Sequence, residues 1–232
     1  GATLARDISI NTTSAGAIRI NGSMDAGRNI SLVSPGQISV ASGVLIDAGT
    51  NASLSGGTIL ADQDLDIVAD NGAITISGPV TAQRNVLLDA AGAVTTAALT
   101  GIAGDITVGG ANVTVGALSG GSISVTGRSG SLTLNGPIAA RDSALLQAAT
   151  SLNLAVGATV DARNGVTLRG ATIAAAGDLD VDTLSGALVI SGAATAQNNI
   201  ILTSLGTITA DALTAQTGSL TANSRIDLTL NG

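Results

Sequence analysis

Two short segments of the chain carry aspartates at alternate positions, a spacing that places carboxylates side by side. The acids are Asp62, Asp64, Asp66 and Asp70 in the first segment and Asp178, Asp180 and Asp182 in the second. Because alternate residues of a β-strand share a face, Asp64 and Asp66 are expected to point outward while Leu65 and Ile67 point inward. Carboxylates on one face could bind Ca²⁺, which prefers oxygen ligands. The weak calcium candidates are Asp62, Asp64, Asp66, Asp178, Asp180 and Asp182.

These acids have a simpler interpretation as a solvated face. Such a face keeps the protein soluble and discourages strand edges from pairing with other chains. The glycine-rich nonapeptide repeats that bind calcium in some β-helices are absent from the sequence. We therefore assign no metal site beyond the weak candidates.

The residue types that most acid-base and nucleophilic catalysis requires are missing. The chain has no His and no Cys, so Ser-His-Asp and Cys-His arrangements cannot form. It also has no Lys for a phosphate-binding loop. Pairs of Asp arise easily by chance, but a glycosidase needs two carboxylates that flank the scissile bond. We predict that the chain is not an enzyme and has neither catalytic residues nor a cofactor.

The charge of the chain limits its partners. All 16 acids are Asp, all 9 bases are Arg, and the net charge is −7. Nucleic acid and anionic membrane surfaces are poor partners for such a chain, and no apolar run is long enough to span a bilayer. Arg28 and Arg84 occupy matching positions in two repeats, with Arg141 one residue off. Such a row could bind a sulfated glycan, or the arginines could simply pair with neighbouring Asp residues.

A repeat that runs along the whole chain must position these side chains. A glycine followed by alternating apolar residues recurs with a period of about 20 residues, the length of one unit in a stacked repeat. The glycines are Gly16, Gly36, Gly57, Gly72, Gly92, Gly110, Gly130, Gly170, Gly186 and Gly206, and the copy from Thr150 has threonine instead. A unit this short cannot bury its apolar face alone, so the period predicts a solenoid of stacked units. Since there are no aromatic residues, the core must be built from Val, Ile, Leu and Ala.

Each long unit carries three apolar stretches, which we interpret as three strands in one turn. In one unit, Ile74 and Ile76 form the first stretch, Val80 the second, and Val86 and Leu88 the third. Alternation at period two indicates one buried and one solvated face. The pattern predicts an all-β fold, a parallel β-helix with about 20 residues per turn. About 12 turns at a strand spacing of roughly 4.8 Å would make a rod about 55 Å long.

A longer period is superimposed on the single unit. Copies that align without gaps start at Gly72, Gly130 and Gly186, and a fourth copy starts at Gly16. The intervals between successive starts are nearly equal. We interpret this super-repeat of about 57 residues as three turns, of which the third is often short.

The spacing G-x-[IVL]-x-[IVL] followed by A-x-x-[ND]-[IV]-x-[LV] occurs in GAITI from Gly72 and AQRNVLL from Ala82. In this spacing the chain resembles filamentous haemagglutinin-type adhesins, the large exoproteins of two-partner secretion systems. The resemblance covers nearly the whole chain, although the unit from Gly92 departs from it, with Thr96 at an apolar position. It implies a right-handed β-helical shaft that an outer-membrane transporter exports to the bacterial surface for attachment to host cells.

On this resemblance, residues 1–232 are expected to form a single β-helical repeat domain, a fragment of a longer protein that is secreted or held at the cell surface. The expected function is that of a structural shaft segment, with the parent protein contacting the host cell. The alternative is that a flank of the β-helix itself binds a host glycan or protein receptor. A polysaccharide-active β-helix is a third interpretation, which the absence of aromatic residues to line a groove disfavours.

Overall fold

The protein is an all-β solenoid. The computed structural model describes residues 5–13 and 16–232, and in these residues the regular structure consists of strands without any helix. The strands pair in parallel and wind through around 11 turns of about 21 residues each. This architecture confirms the predicted parallel β-helix, with a turn slightly longer than the sequence period indicated.

Within residues 5–13 and 16–232, twenty-eight strands make up the solenoid. They are β1 (Ala5–Asn11), β2 (Ile18–Ile20), β3 (Met24–Val40), β4 (Leu45–Ala48), β5 (Ala52–Ala61), β6 (Leu65–Ala69), β7 (Ile74–Ile76), β8 (Val80–Ala82), β9 (Val86–Ala90), β10 (Val94–Thr96), β11 (Leu99–Gly101), β12 (Ile106–Gly110), β13 (Val113–Val115), β14 (Leu118–Gly120), β15 (Ile123–Gly127), β16 (Leu132–Leu134), β17 (Ile138–Ala140), β18 (Ser143–Ala148), β19 (Ser151–Leu154), β20 (Thr159–Ala162), β21 (Gly165–Ala175), β22 (Leu179–Thr183), β23 (Leu188–Ala196), β24 (Ile200–Ser204), β25 (Ile208–Ala210), β26 (Leu213–Ala215), β27 (Leu220–Ser224) and β28 (Leu228–Leu230).

The strands stack into three sheets, and the chain visits them in the order A, B, C in every turn. Sheet A holds β2, β8, β11, β14, β17, β20, β22, β24 and β27. Sheet B holds β4, β6, β9, β12, β15, β18, β25 and β28. Sheet C holds β1, β7, β10, β13, β16, β19 and β26. The long strands β3, β5, β21 and β23 bend around corners and contribute to more than one sheet.

The core is a continuous aliphatic column between the three sheets. The inward residues predicted from the alternation, among them Ile74, Ile76, Val80, Val86 and Leu88, are each at most 1% exposed. Fully burying one such side chain contributes roughly 1.5–3 kcal/mol, while ordering the backbone costs roughly 1–2 kcal/mol per residue. A single turn is therefore unstable, and stability comes from stacking.

Close packing at the corners explains the glycines of the repeat. Gly92 lies one turn after Gly72 at the corner between sheets B and C, and its N–H donates to the Gly72 carbonyl oxygen at 2.7 Å. A Cβ on Gly92 would lie 2.7 Å from that same oxygen, closer than a side chain can approach without moving the backbone. The glycine therefore permits two successive corners to touch.

The interpretation of the super-repeat as three turns is wrong for the copy from Gly130. The stretch from Gly130 to Gly186 contains eight strand segments, two and two-thirds turns, because the short unit from Gly170 supplies two segments and not three. As a result, Leu132 starts one copy in sheet C, whereas Leu188 starts the next copy in sheet B. Similar sequences thus lie on different faces of the rod.

The copy from Gly16 falls short of three turns in the same way, and this separates the arginines that the sequence aligns. Arg28 lies at the corner between sheets B and C, whereas Arg84 and Arg141 lie at the corner between sheets A and B. The expected row through Arg28 and Arg84 is therefore wrong. A row does exist at the corner between sheets A and B, where Arg163 follows Arg141 by one turn.

Candidate binding surface

The two acidic segments lie on different sheets. Asp66 points outward from β6 in sheet B, and Leu65 and Ile67 beside it are fully buried, as predicted. Asp180 and Asp182 are the outward residues of β22 in sheet A. Across the described ranges, no three acidic side chains come close enough together to hold a metal ion.

One acid of each segment is held by the next turn. Asp64 accepts hydrogen bonds from the backbone N–H of Asn85 at 3.0 Å and from its Nδ2 at 2.8 Å. Asp178 accepts the same two bonds from Asn199, both at 2.9 Å. Hydrogen-bonded carboxylates at these corners are structural links between turns, which explains their presence without a metal ion. Asp62 is exposed in the connection before Asp64.

The bonds between Asn85 and Asp64 belong to a ladder that climbs the corner between sheets A and B, whereas Asp178 and Asn199 lie at the corner between sheets C and A. The Oδ1 atom of Asn85 accepts from the backbone N–H of Asp105 at 2.9 Å, and Asp105 accepts from the N–H of Ser122 at 2.7 Å. The Ser122 hydroxyl then donates to Asp142 at 3.0 Å, and Asp142 accepts from the Asn164 amide. Each turn thereby positions the backbone of its neighbour.

Sequence reasoning missed this ladder, although the signal was present. The [ND] position of the A-x-x-[ND]-[IV]-x-[LV] spacing is the ladder position, one residue before a buried strand residue. Asn and Asp accept hydrogen bonds from backbone N–H groups readily at such corners. Their recurrence once per turn would have predicted side-chain links along the rod.

Three aspartates of the described chain share the outward face of sheet A without forming a metal-binding cluster. Asp161 of β20 is the register partner of Asp182 of β22, and Asp180 lies two residues from Asp182 on the same face. Burial, followed by the charge of Asp182, raises the pKa of Asp161 above its usual value. Burial and the charges of Asp182, Asp161 and Asp178 raise the pKa of Asp180 in the same way. The carboxylates thus repel one another.

Asp182 has one oxygen that the fold leaves unsatisfied. Its Oδ1 atom is buried and, within the part of the chain that the structure describes, has no hydrogen-bond partner. The same is true of Asp47 in sheet B, whose pKa is raised by burial and then by the charges of Asp70 and Asp25. A buried oxygen without a hydrogen-bond donor is costly, so each of these two atoms lowers the stability of the fold.

An open cavity of about 810 Å³ lies beside Asp182. Its lining residues come from the outward face of sheet A, from the nearly buried strand ends Ala140 and Ala162, and from the adjacent corner with sheet B: Ser119, Ala139, Ala140, Arg141, Asp161, Ala162, Arg163, Asp182 and Leu184. Smaller depressions of about 480 and 360 Å³ lie on sheet B near Leu145 and at β27 near Leu205. The cavity beside Asp182 is the largest of these three and is of a size that ordinarily accommodates small ligands.

The arginines of the chain differ in how they are held. Arg28 pairs with Asp7, which lowers the pKa of that carboxyl, and Arg128 pairs with Asp89. Arg128 reaches Asp89 across Gly109, where a side chain would collide with its guanidinium. These two contacts confirm pairing with Asp for two arginines of the described chain.

No helix among the described residues is both long and apolar enough to cross a membrane. The expectation that the chain is not an enzyme stays a prediction, as does the absence of a cofactor.

Comparison of the chain with protein-family models, with curated proteins and with solved structures gave no match.

Proposed function

We propose that this chain is a structural shaft segment of a large secreted bacterial adhesin of the filamentous haemagglutinin type. In this proposal an outer-membrane transporter exports the parent protein, which is then secreted or stays on the cell surface. The rod holds the parts of the parent protein that contact host cells away from the bacterium.

The observation that carries the proposal is the uniformity of the rod. From Ile18 to Leu230 every connection between strands contains two to four residues. Binding and catalytic residues are found disproportionately on loops that a rigid scaffold presents. A rod with short corners throughout lacks the extended loops of a receptor-binding domain, and its regularity suits a spacer.

The linkage between turns supports the same function. Sheet A stays in register from Ile18 to Ala222, each step being a parallel backbone pairing. Around 11 turns at roughly 4.8 Å per turn give a length of about 50 Å. Few unpaired backbone segments remain for a protease to bind, as a protein exposed outside a cell requires.

The test measures binding of the purified chain to cultured epithelial cells, together with its resistance to a broad-specificity protease. We expect slow proteolysis and no saturable binding with a submicromolar Kd. The matched control is a variant with the same inward residues and with its outward polar residues shuffled between turns. Submicromolar binding that this variant loses would contradict the proposal and assign recognition to the rod itself.

A further inference from the structure

The cavity on sheet A arises from an interruption in a row of outward side chains. In successive turns the row runs through Thr100, Ser119, Ala139, Asp161 and Asp182. Ser119 and Ala139 are small, so the surface is low there, and the longer acids of the next two turns close one end. The cavity is therefore built into the sequence of four consecutive turns.

Long side chains at the neighbouring corner form the second wall. Arg141 is fixed there, because its Nη2 atom donates to the carbonyl oxygens of Gly101 at 3.0 Å and Gly104 at 3.4 Å. Arg163 is exposed one turn later, and its guanidinium makes no hydrogen bond or ion pair with the described residues. Leu184, which is 65% exposed, adds an apolar edge.

The two walls offer complementary hydrogen-bonding groups. Asp161 and Asp182 only accept when ionised, and both carboxylates line the cavity. Within the described ranges, the Asp161 side chain accepts one hydrogen bond, a long one of 3.4 Å from the Thr159 hydroxyl. Arg163, in contrast, only donates. Between the walls, Ala139, Ala140 and Ala162 provide an apolar floor.

A wall of each charge selects against simple ions. A cation bound by the carboxylates would meet the arginines, and an anion bound by the arginines would meet the carboxylates. A hydroxyl group avoids this conflict, because it donates to a carboxylate and accepts from a guanidinium. Several hydroxyls on one uncharged ring system, with C–H groups facing the alanines, would satisfy both walls at once.

We propose that this cavity, walled by Asp161 and Asp182 on one side and by Arg163 on the other, binds an uncharged oligosaccharide. The row from Ser119 to Asp182 spans three turn spacings, about 14 Å, so the site holds a short stretch of sugar rings aligned with the rod. The chain has no aromatic residue to stack on a sugar ring. We therefore expect a Kd in the millimolar range.

The site goes beyond the shaft proposal, since a rod can act as a spacer whether or not its flank binds a sugar. Weak sugar binding at one place on the rod leaves the shaft function intact. Submicromolar cell binding would overturn the shaft proposal without bearing on this cavity. The two proposals can therefore fail independently.

The test follows backbone amide shifts of the ¹⁵N-labelled chain during titration with three neutral probes, maltotriose, cellotriose and triacetylchitotriose. Hexalysine and trigalacturonate serve as cationic and anionic probes. We expect at least one neutral trisaccharide to shift amides around Ala139, Asp161 and Asp182 saturably. Asp182→Asn and Arg163→Gln should each weaken that binding roughly tenfold.

Two further variants separate the cavity from general charge effects. Asp47→Asn removes a carboxylate that also has a buried, unsatisfied Oδ1 atom but lies on sheet B, and it should leave sugar binding unchanged. Ala139→Leu fills the floor at an exposed position without changing charge, and it should abolish binding while the circular dichroism spectrum stays that of the parent.

Three results would overturn the proposal. The first is that none of the three neutral trisaccharides gives saturable shifts. The second is that Asp182→Asn, Arg163→Gln and Ala139→Leu bind sugar as the parent does. The third is that only hexalysine or only trigalacturonate shifts these amides, which would assign the cavity to ion pairing.

Discussion

The pentapeptide Leu-Thr-Leu-Asn-Gly occurs at residues 132–136 and again at residues 228–232, and its two copies have different surroundings. In each copy the Leu-Thr-Leu part forms a strand, β16 in sheet C and β28 in sheet B. Leu132 and Leu134 are fully buried, whereas Leu228 and Leu230 are 47% and 45% exposed. The same residues thus adopt the same local structure with opposite burial.

The difference lies in the number of neighbouring turns. β16 pairs with β13 on one side and with β19 on the other, so turns cover both of its edges. β28 lies in the last described turn, where it pairs with β25 and no further described strand covers its other edge. In a solenoid each turn contacts only its neighbours, so burial is a property of the stack and not of the strand. The alternating pattern thus specifies which side chains face inward, while stacking on neighbouring turns decides how far those side chains are buried and how much they contribute to stability.

The largest expected effect comes from truncating matched leucines in these two strands. Leu134→Ala should lower the free energy of unfolding by about 2–5 kcal/mol, because it leaves a cavity between Val115 and Leu154. Leu230→Ala should cost less than about 1 kcal/mol, since nearly half of that side chain is already exposed. Urea unfolding followed by circular dichroism measures both. Equal losses would show that burial by stacking does not set the stability of a turn.

An intermediate effect is expected from the corner ladder. Asn85→Ala removes the Nδ2 bond to Asp64 and the bond that Oδ1 accepts from the Asp105 N–H, so it should cost about 1–2 kcal/mol. Asn223→Ala in β27 is the matched control, because the exposed side chain of Asn223 makes no hydrogen bond with the described residues, and it should stay within about 0.5 kcal/mol of the parent. Hydrogen exchange would localise the effect of Asn85→Ala to the turns that join Asp64 and Asp105. Uniform loss of protection along the rod would contradict a ladder that acts turn by turn.

The smallest expected effect is a dependence of stability on pH. Burial raises the pKa values of Asp47, Asp66, Asp161 and Asp180, so the folded chain binds protons more readily than the unfolded chain at pH values around and above 3.8. Stability should therefore rise as the pH falls from neutral towards that value.

Melting temperatures across this range test the sign. Asp180→Asn should flatten the pH profile and raise the melting temperature at neutral pH, because it removes a carboxylate whose charged form is disfavoured by burial and then by its acidic neighbours. Asp7 has a lowered pKa through its bond to Arg28, so its contribution is lost only below 3.8, outside this window. A melting temperature that falls steadily as the pH is lowered from neutral would contradict the expected direction.

The sequence alone was sufficient to predict strands in the repeat and the residues of those strands that face inward. Alternation at Ile74 and Ile76, and again at Val86 and Leu88, predicted buried positions that the structure confirms. It did so because a parallel sheet with one buried face requires period two whatever lies on the next turn. The glycine period was equally informative, since touching corners exclude a Cβ at Gly92.

The candidate site, in contrast, could not be predicted from sequence. The row on sheet A takes one residue from each of four successive turns: Ser119, Ala139, Asp161 and Asp182. That these residues are neighbours can be inferred only once the number of strands in each unit has been established. The short units hold two strand segments, and this shifts each later copy around the rod axis. An alignment of super-repeats consequently places similar residues together when they lie on different faces.

By itself the sequence determined an all-β solenoid, its aliphatic core and the spacing of its turns, because these follow from local alternation and from the need of short units to stack. Only the tertiary structure decided which outward side chains become neighbours. That assignment depends on how far each unit winds around the axis, which is a sum over every preceding strand and corner. The ladder from Asp64 to Asn164 and the cavity beside Asp182 both arise from that winding.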